Sequence, residues 1–370
     1  MVAQTSRFRA ISGPVDKKTL ESIVQAHERF VGHLPDGKRA SLLRHDLSNA
    51  DLTDRNLMEA DITGAILCGA TMKFTNFERA HLFCANLSNV DARYANFTHA
   101  DMRGVNLQNS NFFFAKLDHA DFRAARLAEM TSLGKFAIID RSSSADCVDF
   151  SFCSLRGTSF DHANLKGANF TGAFLQGTSF KGARVTDIKL DGAVLIDIDQ
   201  HDLQVPAAAL RNCIQGPSVA TVARTPHLLV RLEAHQRWIA SGGRAGTSAV
   251  LDGEDLRPLE AGIGKFQLTA LSARNVIAVG MNLSGAQLQG ADLTGADLRD
   301  VNFEGADLRG ILFRDANLAH ARFGSADLTS LRVGSGAVRA SDFKGARLSQ
   351  RQLADALLEP GCDLERALAN

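Results

Sequence analysis

His27-Glu28 opens like the His-Glu-x-x-His arrangement, in which two histidines one helical turn apart hold zinc and the glutamate serves as base. The second histidine position is Val31, and His33, six residues on, falls on a different side of a helix. No metal pair forms. Gly262-Ile263-Gly264-Lys265 has the outline of a phosphate loop, but Leu259 stands where the first glycine belongs and Phe266 where Ser or Thr would bind magnesium. No Gly-x-Ser-x-Gly elbow is present, and Ser, His and Asp are scattered without a triad pattern. The six cysteines (Cys68, Cys84, Cys147, Cys153, Cys213 and Cys362) show no Cys-x-x-Cys pair and no Cys/His cluster at zinc spacing. These residues predict a protein that is not an enzyme, with no catalytic residue, no metal and no cofactor.

His27 and His235 each lie on the apolar stripe of an expected helix, with Leu20, Val24 and Val31 beside the first, and are read as packing histidines. Charge adds no global steering, because 41 Lys and Arg face 41 Asp and Glu. Neither nucleic acid nor an anionic membrane is an expected partner. No run of 18 uncharged apolar residues occurs, and no apolar stretch follows Arg7 and Arg9. A cytoplasmic location with reduced thiols is the expectation.

What remains is periodicity, and the period is five. Stepping by five from Leu42 to Leu127 meets a large apolar residue at every position but Ala92, and a mostly small residue sits two places before each. Asp or Asn usually comes directly before the large residue, where its side chain can bond local backbone at a corner. Five matches neither the 3.6 of a helix nor the 2 of a strand, so a turn every five residues is required to keep these side chains together. The pattern returns from Phe150 to Leu195 and from Leu283 to Leu348. Its expected inward core includes Leu52, Leu57, Phe77, Phe97, Leu107, Leu117, Phe160, Phe170, Leu293, Leu298, Phe303 and Leu308.

The string Ala291-Asp-Leu-Thr-Gly-Ala-Asp-Leu resembles the pentapeptide-repeat family. The resemblance implies a mainly β fold, a right-handed quadrilateral β-helix with four pentads per coil. It also carries a function found in some members, which imitate duplex DNA and bind DNA gyrase, giving quinolone resistance. That mimicry needs a strongly acidic surface. Residues 42–127 carry 10 acids against nine bases and residues 283–348 eight against eight, so gyrase or topoisomerase binding stands only as the alternative.

The organisation reads as a helical cap (1–40), a first solenoid (41–199) with a loop near 128–149, and a helical insert (200–249). A second solenoid (250–349) and a C-terminal short helix with tail (350–370) follow. Thr225-Pro226 looks like an N-cap and first helical residue, Leu228, Leu232, His235 and Ile239 share one face, and Ser241-Gly242-Gly243 stops the helix. Ala26-His27-x-Arg29-Phe30 matches Ala234-His235-x-Arg237-Trp238, and after one inserted residue Gly37, Ala40 and Leu42 match Gly246, Ala249 and Leu251. Helix, glycine turn and solenoid are thus duplicated. In residues 257–281, Phe266, Leu271 and Val276 compete with Leu268, Ala273 and Ala278 for the inward register. Ser349–Leu358 reads as an amphipathic helix, either a cap or a homodimer contact.

Columns 20 residues apart share a face of the coil. Phe74, Tyr94 and Phe114 fall in one outward column, with Phe113 adjacent and Lys73 and Arg93 below. Two readings stand: the protein's own helix or its 128–149 loop covers this ladder, or it is the docking face for an unidentified protein partner. His99 and His119 form a second outward pair above Arg79 and Glu59, read as solvated, with pH sensing as the other reading. The leading expectation is a non-catalytic interaction scaffold.

Overall fold

A computed structural model describes residues 14–130, 136–334 and 336–359, and the chain divides into two compact units at Gly216–Pro217. Residues 1–13 of the expected cap, the tail 360–370 and Cys362 lie outside the described residues. No described helix is long and apolar enough to cross a membrane.

Over most of the first unit a bridging residue pairs in parallel with the one 20 ahead, as Asp51 does with Thr71 and Asn56 with Asn76, so four pentads complete one coil. Within a pentad the Ala60 N–H donates to the Leu57 carbonyl (3.1 Å), closing a turn, while the Leu57 N–H donates to Asn76 of the next coil (2.7 Å). The backbone is thereby satisfied without long strands. Leu52, Leu57, Phe77, Phe97, Leu107, Leu117, Phe160 and Phe170 are all buried, and the phenyl rings stack coil on coil, Phe77 on Phe97 at 4.9 Å and Phe150 on Phe170 at 5.2 Å. Where the small inward residue is polar it is satisfied: Thr75 donates to the Leu52 carbonyl (2.6 Å) and Ser110 to that of Leu87 (2.6 Å). The Asp and Asn side chains are structural, since Asp51 and Asn96 each accept the N–H two residues on (3.0 Å). Asn96 also donates to Asn76 in the coil below (3.0 Å).

Helix α1 (Lys17–Val31), capped by Asp16, closes the start of this unit and buries Leu20, Val24 and His27. Arg55 clamps it to the coil through Glu21 and Glu28, each at 2.9 Å. The side loop is a hairpin of β1 (Ala125–Met130) and β2 (Phe136–Arg141), which starts and ends earlier than 128–149. Leu127, the last large residue of the first frame, pairs with Ile139 there rather than joining a coil. Asn106 consequently bridges Ser144 instead of a residue 20 ahead. At the far end β3 (Val194–Leu195) pairs in parallel with β4 (Ile214–Gln215), so coil pairing runs past residue 199. Between them lie α2 (Gln200–Leu203) and a 3₁₀ turn at Ala207–Leu210.

The second unit repeats the arrangement. Helix α3 (Val219–Ala223) leads into α4 (Thr225–Ala240), in which Thr225 is itself helical rather than the cap. Gly242 and Gly243 end α4 with positive φ. Arg224 and Arg231 of the helix region clamp Glu254 of the first coil (2.9 and 3.0 Å). A 3₁₀ turn at Arg257–Leu259 and α5 (Glu260–Ile263) stretch that coil, so Asp255 bridges Ile277. Both competing registers turn out to face inward: Leu268, Ala273 and Ala278 take the central places, while Leu271 and Val276 fill the places normally held by alanine. Large and small have exchanged positions at Leu271/Ala273 and Val276/Ala278. Phe266 is only partly buried. Leu293, Leu298, Phe303 and Leu308 are buried as expected.

Two expectations need correction. Val333 and Val338 lie on the inward frame by period, but they sit in a second hairpin, β5 (Leu331–Val333) with β6 (Ala337–Arg339), and are 47% and 64% exposed. The coil steps from Leu312 to Asp342, ten residues more than usual, and a ten-residue insertion leaves a period of five intact. Ser349–Leu358 is not a helix but one 3₁₀ turn, Gln350–Leu353, with a Ser349/Gln352 capping box. Leu357 then rejoins the coil by bridging Asp327.

The duplication survives in atomic detail. The Ala40 N–H donates to His27 Nδ1 and the Ala249 N–H to His235 Nδ1, both at 3.0 Å.

Candidate functional site: an aromatic column on the first unit

Phe74, Tyr94 and Phe114 occupy the third place of corresponding β-turns in successive coils, with φ of +58°, +62° and +61°. A non-glycine residue in the left-handed region costs roughly 1–2 kcal/mol. Glycine fills the same column further along, at Gly172 and Gly192. The aromatic rings therefore stand where local backbone preference would choose glycine.

The rings compensate by packing. Phe74 stacks on Tyr94 at 4.9 Å and 11°, and Tyr94 meets Phe114 at 5.4 Å and 39°. Phe113 meets Tyr94 edge-on at 5.9 Å. Contacts of this kind add about 0.5–1.5 kcal/mol beyond buried area. A further rung, Phe152, escaped the 20-residue count. The Phe114 N–H donates to the Ser151 carbonyl (3.0 Å), so Phe152 continues the column and meets Phe113 at 5.8 Å. The repeated string Phe112-x-Phe114 and Phe150-x-Phe152 was the available signal. Gly172 then makes room, because a Cβ there would lie 2.3 Å from Phe152 Cε1.

Placement differs among the six residues singled out. Phe114 is buried, whereas Phe74, Tyr94 and Phe113 are half-buried. Lys73 and Arg93 converge on one carboxylate: Lys73 Nζ lies 3.2 Å from Asp91, and Arg93 donates to it from Nε (2.9 Å) and Nη2 (3.0 Å). They neutralise Asp91 as well as bordering the column. Burial alone would raise the Asp91 pKa, but the hydrogen bonds from Arg93 and Lys73 outweigh it and hold the carboxyl below the ordinary range. Burial pushes the Tyr94 phenol upward, with Arg93 opposing.

His99 and His119 stack at 4.8 Å and 9°, both exposed. Parallel rings do not converge their lone pairs on one ion, and among the described residues no group of three or more His, Cys, Asp or Glu could hold a metal. A cleft of about 690 Å³ near the far end of the first unit has Arg184 and Asp187 as its ionisable lining. It offers no histidine, cysteine or second carboxylate for acid–base work.

The model of the family described as pentapeptide repeats matches residues 46–82, 72–109, 146–182, 267–305 and 296–330, in eight copies. The chain belongs to the pentapeptide-repeat family. A right-handed β-helix follows from that membership, and the unmatched stretches contain the β1–β2 hairpin and the α3–α4 cap. No curated protein matches the chain. Among solved structures it is similar to HetL, a pentapeptide repeat protein involved in heterocyst differentiation regulation from Nostoc sp. strain PCC 7120. That match has 19% identity, spans 84% of this chain and 96% of HetL, and has a TM-score of 0.30. It is also similar to a pentapeptide repeat protein of the Arabidopsis thaliana thylakoid lumen (22% identity, 36% of this chain and 67% of that one, TM-score 0.19). A third is QnrB1, a plasmid-mediated fluoroquinolone resistance protein (17% identity, 52% and 97%, TM-score 0.19). Superpositions this loose bear on neither partner nor activity.

Proposed function

We propose that this pentapeptide-repeat protein is a non-catalytic protein-interaction scaffold, built from four-sided coils in two solenoid segments, and that the aromatic column is its partner-binding face. The observation that carries this reading is an outward column of stacked rings, Phe74 on Tyr94 at 4.9 Å with Phe113 edge-on to Tyr94, that stays half-buried on the surface of the coil. Partly exposed aromatic rings of this kind supply the anchors that dominate protein interfaces.

Because Phe114 is buried, the informative variant is Phe74→Ser/Tyr94→Ser. Its thermal melt is matched to wild type before capture of partners from native cytosol. A partner retained by wild type and lost by the variant is the expected result. An identical partner set in both sinks the docking face. Purified DNA gyrase tests the alternative: near-balanced charge predicts no inhibition of supercoiling, and inhibition would restore DNA mimicry.

A further inference from the structure

His27 and His235 recur at equivalent places in the duplication, and both are completely buried. Each stands on the inner face of its cap helix and accepts, at Nδ1, the N–H of the alanine that enters the first coil. An Nδ1 that accepts is unprotonated, so both rings are neutral with the proton on Nε2. Neither Nε2 has a hydrogen-bond partner of normal geometry. Protonation would turn the Nδ1 acceptor into a donor facing a donor and leave a charge in an apolar seam.

We propose that His27 and His235 are acid-sensitive latches, which hold α1 and α4 on their solenoids at neutral pH and release both as the pH falls. The surroundings agree. Burial pushes the His27 pKa down; the Met58 carbonyl, Glu28 and Glu59 oppose this in part, while Arg39 reinforces it. Burial also lowers His235, opposed only by the Thr269 carbonyl. The other clamps of these caps are ion pairs, Arg55 with Glu21 and Glu28 in one and Arg224 and Arg231 with Glu254 in the other. Carboxylates ionise near pH 4, so between pH 7 and 5 the histidines are the groups that change. Their folded pKa lies below the unfolded value, so latch strength is complete above about pH 6.5 and is lost as the pH drops toward the folded pKa. Each pH unit in that window multiplies the open population of a cap by up to about tenfold.

Trp238, the single tryptophan, stacks on His235 at 5.6 Å and reports directly on the second latch. Lowering the pH from 7.5 to 5.0 should red-shift its emission. Below about pH 6.5 and down to 5.0, amide exchange in residues 17–31 and 225–240, corrected for intrinsic pH dependence, should accelerate by up to about tenfold per unit. His27→Asn and His235→Asn keep an acceptor near the Nδ1 position without a titrating proton. Each should remove the acceleration in its own cap and leave it in the other. Acceleration that persists in its own variant, or none in wild type, overturns the proposal. Should a variant fail to fold at pH 7.5, NMR titration of the wild-type histidines decides: both must titrate below 6.5 together with loss of cap protection, and ordinary titration with protected caps refutes the latch.

Discussion

Phe97→Ala is expected to destabilise the first unit by about 3–5 kcal/mol, the cost of emptying a fully buried phenyl site. Phe97 is 0% exposed, stacks on Phe77 at 4.9 Å and leans on Phe112 at 5.4 Å. The surrounding backbone is tied coil to coil and cannot collapse onto the void without breaking the ladder through Phe97 N–H to Lys116 (2.7 Å). Its neighbour supplies the control. Thr98 is a turn residue beside Glu78 and Asp118 in the adjacent coils, so Thr98→Lys should stay within about 0.5 kcal/mol. Urea melts of the two variants check both. Equal stability would mean that inward and outward positions have been exchanged.

The second large effect is expected at the duplicated glycine turn. A Cβ on Gly37 would lie 2.4 Å from the Phe30 backbone nitrogen, and one on Gly246 would lie 2.2 Å from the Ala234 carbonyl oxygen. Both obstacles are helix backbone and cannot swing aside. Gly246 adds a φ of +80°, whereas Gly37 depends on close approach alone. Gly37→Ala and Gly246→Ala should each cost on the order of 2–4 kcal/mol, overpacking with strain added at Gly246. Each should first unseat its own cap helix, visible as lost amide protection over 17–31 or 225–240. Gly285→Ala tests backbone strain without a clash, since its φ is +65° and nothing lies within 4 Å of the added carbon. A Gly37→Ala protein as stable as wild type would contradict the turn geometry.

The coil itself was legible because its rule is local. A large residue every fifth place, a small one two before it and Asp or Asn between them prescribe a turn and an inward pair whatever the rest of the chain does. The buried positions of Phe77, Phe160 and Leu298 follow from counting. The duplicated caps were legible for a related reason: the His27–Ala40 and His235–Ala249 pairs occupy matched strings.

Insertions were only partly legible. The 18-residue detour at the β1–β2 hairpin shifts the frame and could be noticed, although Leu127 was still counted as inward. The ten-residue detour at β5–β6 preserves the frame, and Val333 and Val338 looked like core until the hairpin placed them in solvent. Phe152 was missed because the first hairpin displaces its column by 18 residues. At 257–281 no count could choose a register, because both series face inward with exchanged sizes.

The sequence by itself determined the period, most of the inward side chains and the two caps. Each of these depends on residues within a few places of one another or on a repeat of fixed length. The tertiary structure alone decided which hairpins leave the coil, that Lys73 and Arg93 share Asp91, that Phe114 is buried while Phe74 and Tyr94 are half-buried, and that both cap histidines accept backbone N–H groups. These outcomes depend on how successive coils stack and on what lies across a helix–coil seam, distances that no spacing within one pentad encodes.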